Sequence, residues 1–555
     1  MRLASVRTAR KITVFTLINH IPIPFMLLAT LFAPLVGALA LLLVSRDAKK
    51  ALKYSSLLVS LITFVFGLVA LLQFDRSNPN MQMLTSQAWI PSLDAGFRIG
   101  VDGMSVLFVF LTTLTMPVVI LAGFDSIKEH EKEFYALILL LEFGVIGIFA
   151  ALDTFLFYVF FELILIPMYF LIGIWGGERR AFAAIKFFIY TMFGSLVMLV
   201  ALIWLGYYVQ QTTGHFTTNL LLLREIAPTI PLETQKWMFF AFMLAFCIKV
   251  PLFPVHTWLP DVQSESPLVA TVVVGAVLFK IGIYGLIRFG LEMFPQSSLE
   301  YAKVMCTLGA IAVVYGALVA IVQTDMRRLA SYALVSSLGT MVMGVFSMTP
   351  EGVQGAILQT FNHGLSVTGL FLCLGVLTEQ RGTTNLADYG GVAKVMPMFA
   401  VLFAISMFSL AGLPGLNGFI GEYLLLLGTF RSPFLNNWVY GIVGATTGTF
   451  VAMYMLKLYN NVCFGKTPNE ESASMKDLTT KELATLIPAT ILMIWIGVYP
   501  STFMRFSEES TKALVGKLEI IKFGTTKHTD TLKKLHAAPH EGAAHNSAAQ
   551  SGSGH

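Results

Sequence analysis

Apolar runs of about 20 residues recur along almost the whole chain, and each is long enough to cross a hydrocarbon core ~30 Å thick as one helix. The spans fall near residues 21–44, 54–73, 104–124, 134–152, 154–175, 185–209, 237–259, 267–290, 299–322, 329–347, 352–378, 398–430, 438–460 and 484–505, about fourteen in all. Charged residues make up 12% of the sequence, where soluble domains carry about 25%. The fold class is therefore all-α, a polytopic membrane protein.

The formal charge of +5 says little about nucleic acid, because the basic residues do not gather on one surface. They mark alternate loops instead: "RDAKKALK" after the first span, "GGERRA" after the fifth, "QTDMRRLA" after the ninth and "GKTPNEESASMKDLTTKE" before the last. By the positive-inside rule these loops are cytoplasmic, and an even number of spans then puts both termini outside. The basic start "MRLASVRTARK" runs against that assignment and reads as an extension over residues 1–20. No small-residue cleavage site follows the first apolar run, which argues against a secretory signal.

The four cysteines (Cys247, Cys306, Cys373, Cys463) are far apart, and no CxxC pair suggests an iron–sulfur or zinc site. No P-loop, dinucleotide fingerprint or haem-attachment motif occurs, so no cofactor or metal is expected in this chain. From residue 506 the composition turns polar and ends in "HAAPHEGAAHNSAAQSGSGH"; a disordered tail over 506–555 is expected, its histidines too irregularly spaced for a metal site.

Residues 21–133 hold the first three spans and a long loop over 74–103. Two five-helix blocks follow, 134–290 and 291–460, and then a loop with the last span over 461–505. In each block the fourth span is interrupted, at "KVPLFPVHTWLP" and at "SLAGLPGLNGFIGEY". Five is an odd number, so the second block enters the membrane from the opposite side. Inverted repeats with a broken helix at corresponding positions are an architecture used to translocate ions.

Charged side chains at membrane depth cost about 2.5–3.5 kcal/mol each on insertion scales and so require an explanation. Glu162 lies about 12 Å into the fifth span. Lys249 in the seventh, Lys280 in the eighth and His363 in the eleventh lie at comparable depth, and Glu422 follows the break in the twelfth. None has an opposite charge three or four residues away on its own helix, so any partner comes from another helix. Inert ion pairs are one reading. The other is a proton relay, because burial disfavours a lysine's charged form and a nearby carboxylate restores it.

Pro251 and Pro254 bear on that choice. Proline removes an amide donor and displaces a carbonyl about one turn earlier, here near residues 247–250, beside Lys249. Broken backbone at membrane depth is tolerated where it lines a polar cavity or is buried in protein. "GLPGLNGFIGE", with Pro414, repeats the arrangement beside Glu422. Lys186 and His256 are candidate proton-entry groups, although Lys186 sits near enough to a helix end to snorkel and His256 near enough to cap one. Asp153 reads as a helix cap, and Arg327 and Arg328 as topology anchors.

"FFELILIPMYFLIGIWGG", "KVPLFPVHTWLPD", "FNHGLSVTGLF", "GLPGLNGFIGEY" and "GVDGMS" resemble the proton-pumping, antiporter-like membrane subunits of respiratory complex I. The resemblance covers roughly residues 25–505. It implies fourteen spans with two inverted repeats in the inner (plasma) membrane, and neighbouring antiporter-like subunits as partners. It also implies proton translocation driven by NADH-to-quinone electron transfer, with NADH, FMN, iron–sulfur clusters and quinone all in partner subunits. By matched motif Glu162 modulates Lys249, Lys280 and His363 continue the relay, and Glu422 stands nearest the exit. Two positions depart from the family pattern: Gln263 and Ser337 stand where histidines are usual. A multisubunit cation/proton antiporter, a membrane-bound hydrogenase-type complex and a non-catalytic scaffold are the competing readings.

Overall fold

The structure, a computed structural model, describes residues 23–465 and 473–524. The N-terminal extension and the histidine-containing end of the tail lie outside the described residues. Helices α1 (Ile23–Leu43) and α2 (Lys49–Gln73) lead into a hairpin, β1 (Gln82–Ile90) and β2 (Ala95–Val101). Then come α3 (Ser105–Ser126), α4 (Glu131–Ala150), α5 (Thr154–Trp175) and α6 (Arg180–Thr213). The seventh expected span is a pair of shorter helices, α7 (Leu232–Lys249) and α8 (Trp258–Glu265). It is followed by α9 (Leu268–Leu291), α10 (Pro295–Val322), α11 (Met326–Phe346) and α12 (Pro350–Arg381). The twelfth is again a pair, α13 (Pro397–Leu410) and α14 (Asn417–Arg431), and α15 (Val439–Cys463), α16 (Thr480–Val498) and α17 (Ser501–Phe523) follow.

Twelve helices among the described residues are long and apolar enough to cross a membrane. The seventh and twelfth expected spans are not among them, because the breaks divide each into pieces. The loops after odd-numbered spans meet at one end of the bundle. There Arg46 pairs with Glu133, the Gly177 amide donates to Glu265 O, Arg327 donates to Ser266 O, and Gly391 donates to Phe464 O. At the other end Arg98 pairs with Asp153, Arg288 with Asp102, and Gln354 donates to Met504 O. Asp153 does cap α5, accepting from the amides of Phe155 and Leu156. Arg327 donates to Ser266 O and Arg328 pairs with Asp261 at the first end.

Two elements differ from the sequence reading. Most of the long loop over 74–103 is an antiparallel hairpin, with Thr85 opposite Ile99 and Gln87 opposite Phe97. Its turn passes through Asp94 at φ +44°. The polar tail starts later than 506: α17 runs to Phe523 and buries Phe503, Phe506, Leu514, Val515 and Leu518. Its apolar residues recur at helical spacing among charges, so the segment is polar by composition and amphipathic by geometry.

α12 is buried all round through its middle and forms the axis of the second half. A helix in that position tolerates neighbours only at close approach, which small residues permit. A Cβ on Gly428 of α14 would come 2.3 Å from the Gly352 nitrogen of α12, and one on Gly421 would come 2.1 Å from Gln359 Oε1. Glycine is required at both contacts.

Candidate proton-relay site

Lys249 is the last residue of α7 and is only 3% exposed. Its Nζ has no hydrogen-bond partner among the described residues. It lies 4.8 Å from the ring centroid of Phe161 and 5.7 Å from that of Phe187, so aromatic faces rather than a carboxylate hold the ammonium. Glu162, next to Phe161 on α5, has an Oε1 that is likewise unpartnered among the described residues. No closed ion pair joins the two groups.

The break after Lys249 is satisfied more fully than proline chemistry alone predicts. Leu252 N donates to Cys247 O at 2.9 Å, and the Trp258 indole Nε1 donates to Ile248 O at 3.0 Å. Pro251 and Pro254 interrupt the helix, and a side chain from α8 takes one of the carbonyls the interruption releases.

Lys280 and His363 are brought into direct contact: Lys280 Nζ lies 2.9 Å from His363 Nδ1 and donates to Gly275 O at 3.1 Å. They are 0% and 2% exposed. α9 carries π-helical stretches over Val274–Leu278 and Leu286–Leu291, on either side of Lys280. Such wide turns offset the backbone ladder and occur frequently at functional sites. With Nδ1 accepting from the ammonium, the neutral ring carries its proton on Nε2.

Glu422 follows the second break. Pro414 lies in that break between Gly412 (φ +68°) and Gly415 (φ +92°), conformations that favour glycine. A Cβ on Gly412 would sit 2.4 Å from Glu422 Oε2, so the carboxylate rests against bare backbone. A cavity of about 70 Å³ adjoins it, lined also by Thr340, Thr429 and Thr447. Gln359 Nε2 of α12 donates to Glu422 Oε1 at 3.5 Å. Glu422 touches none of Glu162, Lys249 and Lys280.

Lys186 Nζ lies 2.6 Å from Asp261 Oδ2, and Arg328 reaches the other oxygen of that carboxylate at 3.4 Å. His256 is buried between Phe253 and Tyr315, with ring centroids 5.7 and 5.1 Å away, and neither ring nitrogen caps a helix. Gln263 is fully buried with neither amide atom partnered among the described residues, so this position keeps a polar group in the interior.

One charge cluster escaped the sequence reading. Arg288 reaches Asp102 at 2.6 Å and Glu292 at 3.0 Å, and Glu292 also takes Arg224 at 3.3 Å. Burial pushes the Asp102 carboxyl up, but the Arg288 guanidinium and the amides of Ser105 and Met104 outweigh it and hold the group below the usual carboxylate range. The spacing of Arg288 and Glu292, four apart at a helix end, was the available signal. All four cysteines are free and buried, and no group of three or more His, Cys, Asp or Glu among the described residues is placed to hold a metal ion.

A helical membrane bundle with buried Lys249, Lys280 and His363, and with half-buried Glu162 and Glu422, beside two broken helices defines the class of ion-translocating membrane subunits. The family described as NADH:quinone oxidoreductase/Mrp antiporter, TM, matches residues 151–452, and the chain belongs to that family. It is 38% identical over 493 residues to NADH-quinone oxidoreductase subunit M of Rickettsia felis, covering 88% of this chain and 98% of the relative. It is 41% identical over 485 residues to the subunit of the same name in Rhodobacter capsulatus, covering 85% and 92%. A chain of respiratory complex I from Thermus thermophilus superposes with a TM-score of 0.79 at 31% identity, covering 89% of this chain and 99% of that one.

Proposed function

We propose that this chain is a proton-translocating membrane subunit of a respiratory NADH-quinone oxidoreductase, moving H⁺ from cytoplasm to periplasm in the inner membrane. The observation that carries the reading is the buried contact of Lys280 with His363, which lies between helices bearing Lys249 on one side and Glu422 on the other. A lysine and an imidazole sharing one hydrogen bond form a proton-transfer pair, not a charge-neutralising one. Inert ion pairing would require a carboxylate there.

In this reading the two five-helix blocks are inverted repeats, the loops bearing Lys and Arg face the cytoplasm, and fourteen spans place both termini in the periplasm. The interdigitation of alternate loops at opposite ends of the bundle supports that topology. A shift in the electrostatic environment of Glu162, arriving from a neighbouring antiporter-like subunit, changes its pull on Lys249. The proton released there passes through Lys280 and His363 to Glu422 and leaves outward. Lys186 and His256 belong to the uptake side, Lys186 through its pairing with Asp261. Electron transfer, with NADH, FMN, iron–sulfur clusters and quinone, belongs to partner subunits. The near-complete coverage of subunit M relatives, and a glutamate rather than a lysine on α14, favour this over a multisubunit antiporter or hydrogenase-type complex.

The test is Lys249→Met in membranes holding the assembled complex. NADH-driven electron transfer and proton pumping should fall together by about tenfold or more, a barrier increase of at least ~1.4 kcal/mol. Normal pumping with the complex intact would make Lys249 structural.

A further inference from the structure

On α12, Gln359, Asn362 and His363 stand at positions i, i+3 and i+4 and therefore share one face. Each is at most 5% exposed, and each carries one polar atom without a partner among the described residues: Gln359 Oε1, Asn362 Oδ1 and His363 Nε2. The other polar atom of each is committed. His363 Nδ1 meets Lys280, Asn362 Nδ2 donates to Asn417 O at 2.7 Å, and Gln359 Nε2 donates to Glu422 Oε1 at 3.5 Å. Asn417 returns the contact, its Nδ2 donating to Asn362 O at 3.1 Å, which clasps the broken helix to α12 at this level. Gly421 leaves no side chain between Gln359 and the helix that carries Glu422.

Buried polar atoms without a protein partner are the sites that ordered water takes up, and three of them share one helix face here. Resting on the relay reading above, we propose that Gln359 and Asn362 position the water that carries the proton from His363 to Glu422, with Gln359 as the residue that delivers it to the carboxylate. The step balances as proton transfer alone. An N–H bond at His363 Nε2 breaks as Nδ1 receives a proton from Lys280. Each intervening water passes on one proton for the one it accepts, and an O–H bond forms on Glu422. No electrons change hands.

The experiment compares Gln359→Met, Gln359→Leu, Gln359→Glu and Lys280→Met in the assembled complex, reading NADH-driven pumping and electron transfer per assembled complex. The two apolar variants should lose pumping by roughly fivefold or more, while Gln359→Glu, which keeps an oxygen in place, retains about half or better. Gln359→Leu differs in shape from Gln359→Met and gives a reading if the latter lowers the amount of assembled complex. A packing role predicts the reverse order, with Gln359→Met tolerated and the carboxylate not. If the apolar variants pump normally while Lys280→Met does not, the relay stands and the role of Gln359 is overturned. Should Lys280→Met also pump normally, the relay reading falls, and this inference with it.

Discussion

At the scale of single residues, the site depends on charges that are close but not locked. A buried ion pair broken from one side costs roughly 3–5 kcal/mol, so a closed Glu162–Lys249 pair would resist the modulation a relay needs. Lys249 instead rests against Phe161 and Phe187, whose attraction for a cation persists whichever way Glu162 is biased. Glu162→Gln keeps the shape and removes the charge. Pumping and electron transfer should drop together by about tenfold with the complex assembled, whereas a purely structural glutamate would leave both unchanged. Glu162, Lys249, Lys280, His363 and Glu422 were legible as candidates in the sequence because an ionisable group in an apolar run stands out against its neighbours. Gln359 and Asn362 were not: a neutral amide costs less to bury and hydropathy does not flag it. Asp261 and Asp102 lie at helix ends, where a carboxylate reads as ordinary.

At the scale of elements, the two breaks were readable from Pro251, Pro254 and Pro414, while the means of satisfying them was not. The Ile248 carbonyl is taken by the Trp258 indole from the far side of the break. Trp258→Phe preserves the ring and removes the donor, leaving a buried carbonyl unpaired. It should cost about 1–3 kcal/mol, read as a lowered melting temperature of the purified complex in detergent, with Trp258→His restoring part of the loss. The hairpin over 82–101 and helix α17 were missed for a related reason. Each buries only one face, so window composition reads polar, and only contact with the bundle identifies the apolar face.

At the scale of the whole molecule, topology is the first claim to test. Single cysteines at Arg179→Cys and Asn80→Cys lie in loops at opposite ends of the bundle. In sealed inside-out vesicles an impermeant maleimide should label the first and spare the second, and in right-side-out spheroplasts the pattern should invert; labelling of both from one side would sink the fourteen-span arrangement. The Asp102–Arg288 pair ties the hairpin end of the first half to α9, and α17 packs beside it through Ser510, whose Oγ accepts from the Gly103 amide at 3.3 Å. Asp102→Ala leaves Arg288 with Glu292 as its remaining carboxylate, and should therefore destabilise the protein by about 1–3 kcal/mol, seen as a lower melting temperature at pH 7. The sign with pH follows from the depressed folded value of Asp102. Its stabilisation is complete above the unfolded value of about 4 and is lost as pH falls through the folded value. Acid melting curves of the wild type should thus steepen below about pH 4, and Asp102→Ala should lack that component.

The chain's helical class, its apolar runs, the two interruptions and the candidate ionisable residues within those runs were determined by sequence alone. The bilayer leaves a chain little choice: backbone must be helical where it meets lipid, and a buried charge must be accounted for wherever it occurs. Which of those charges meet was decided only by tertiary structure. Lys280 and His363 are 83 residues apart in the chain and 2.9 Å apart in space. Gln359 reaches Glu422 because glycines let α14 close on α12. No local pattern encodes such contacts, since they depend on how helices distant in sequence pack.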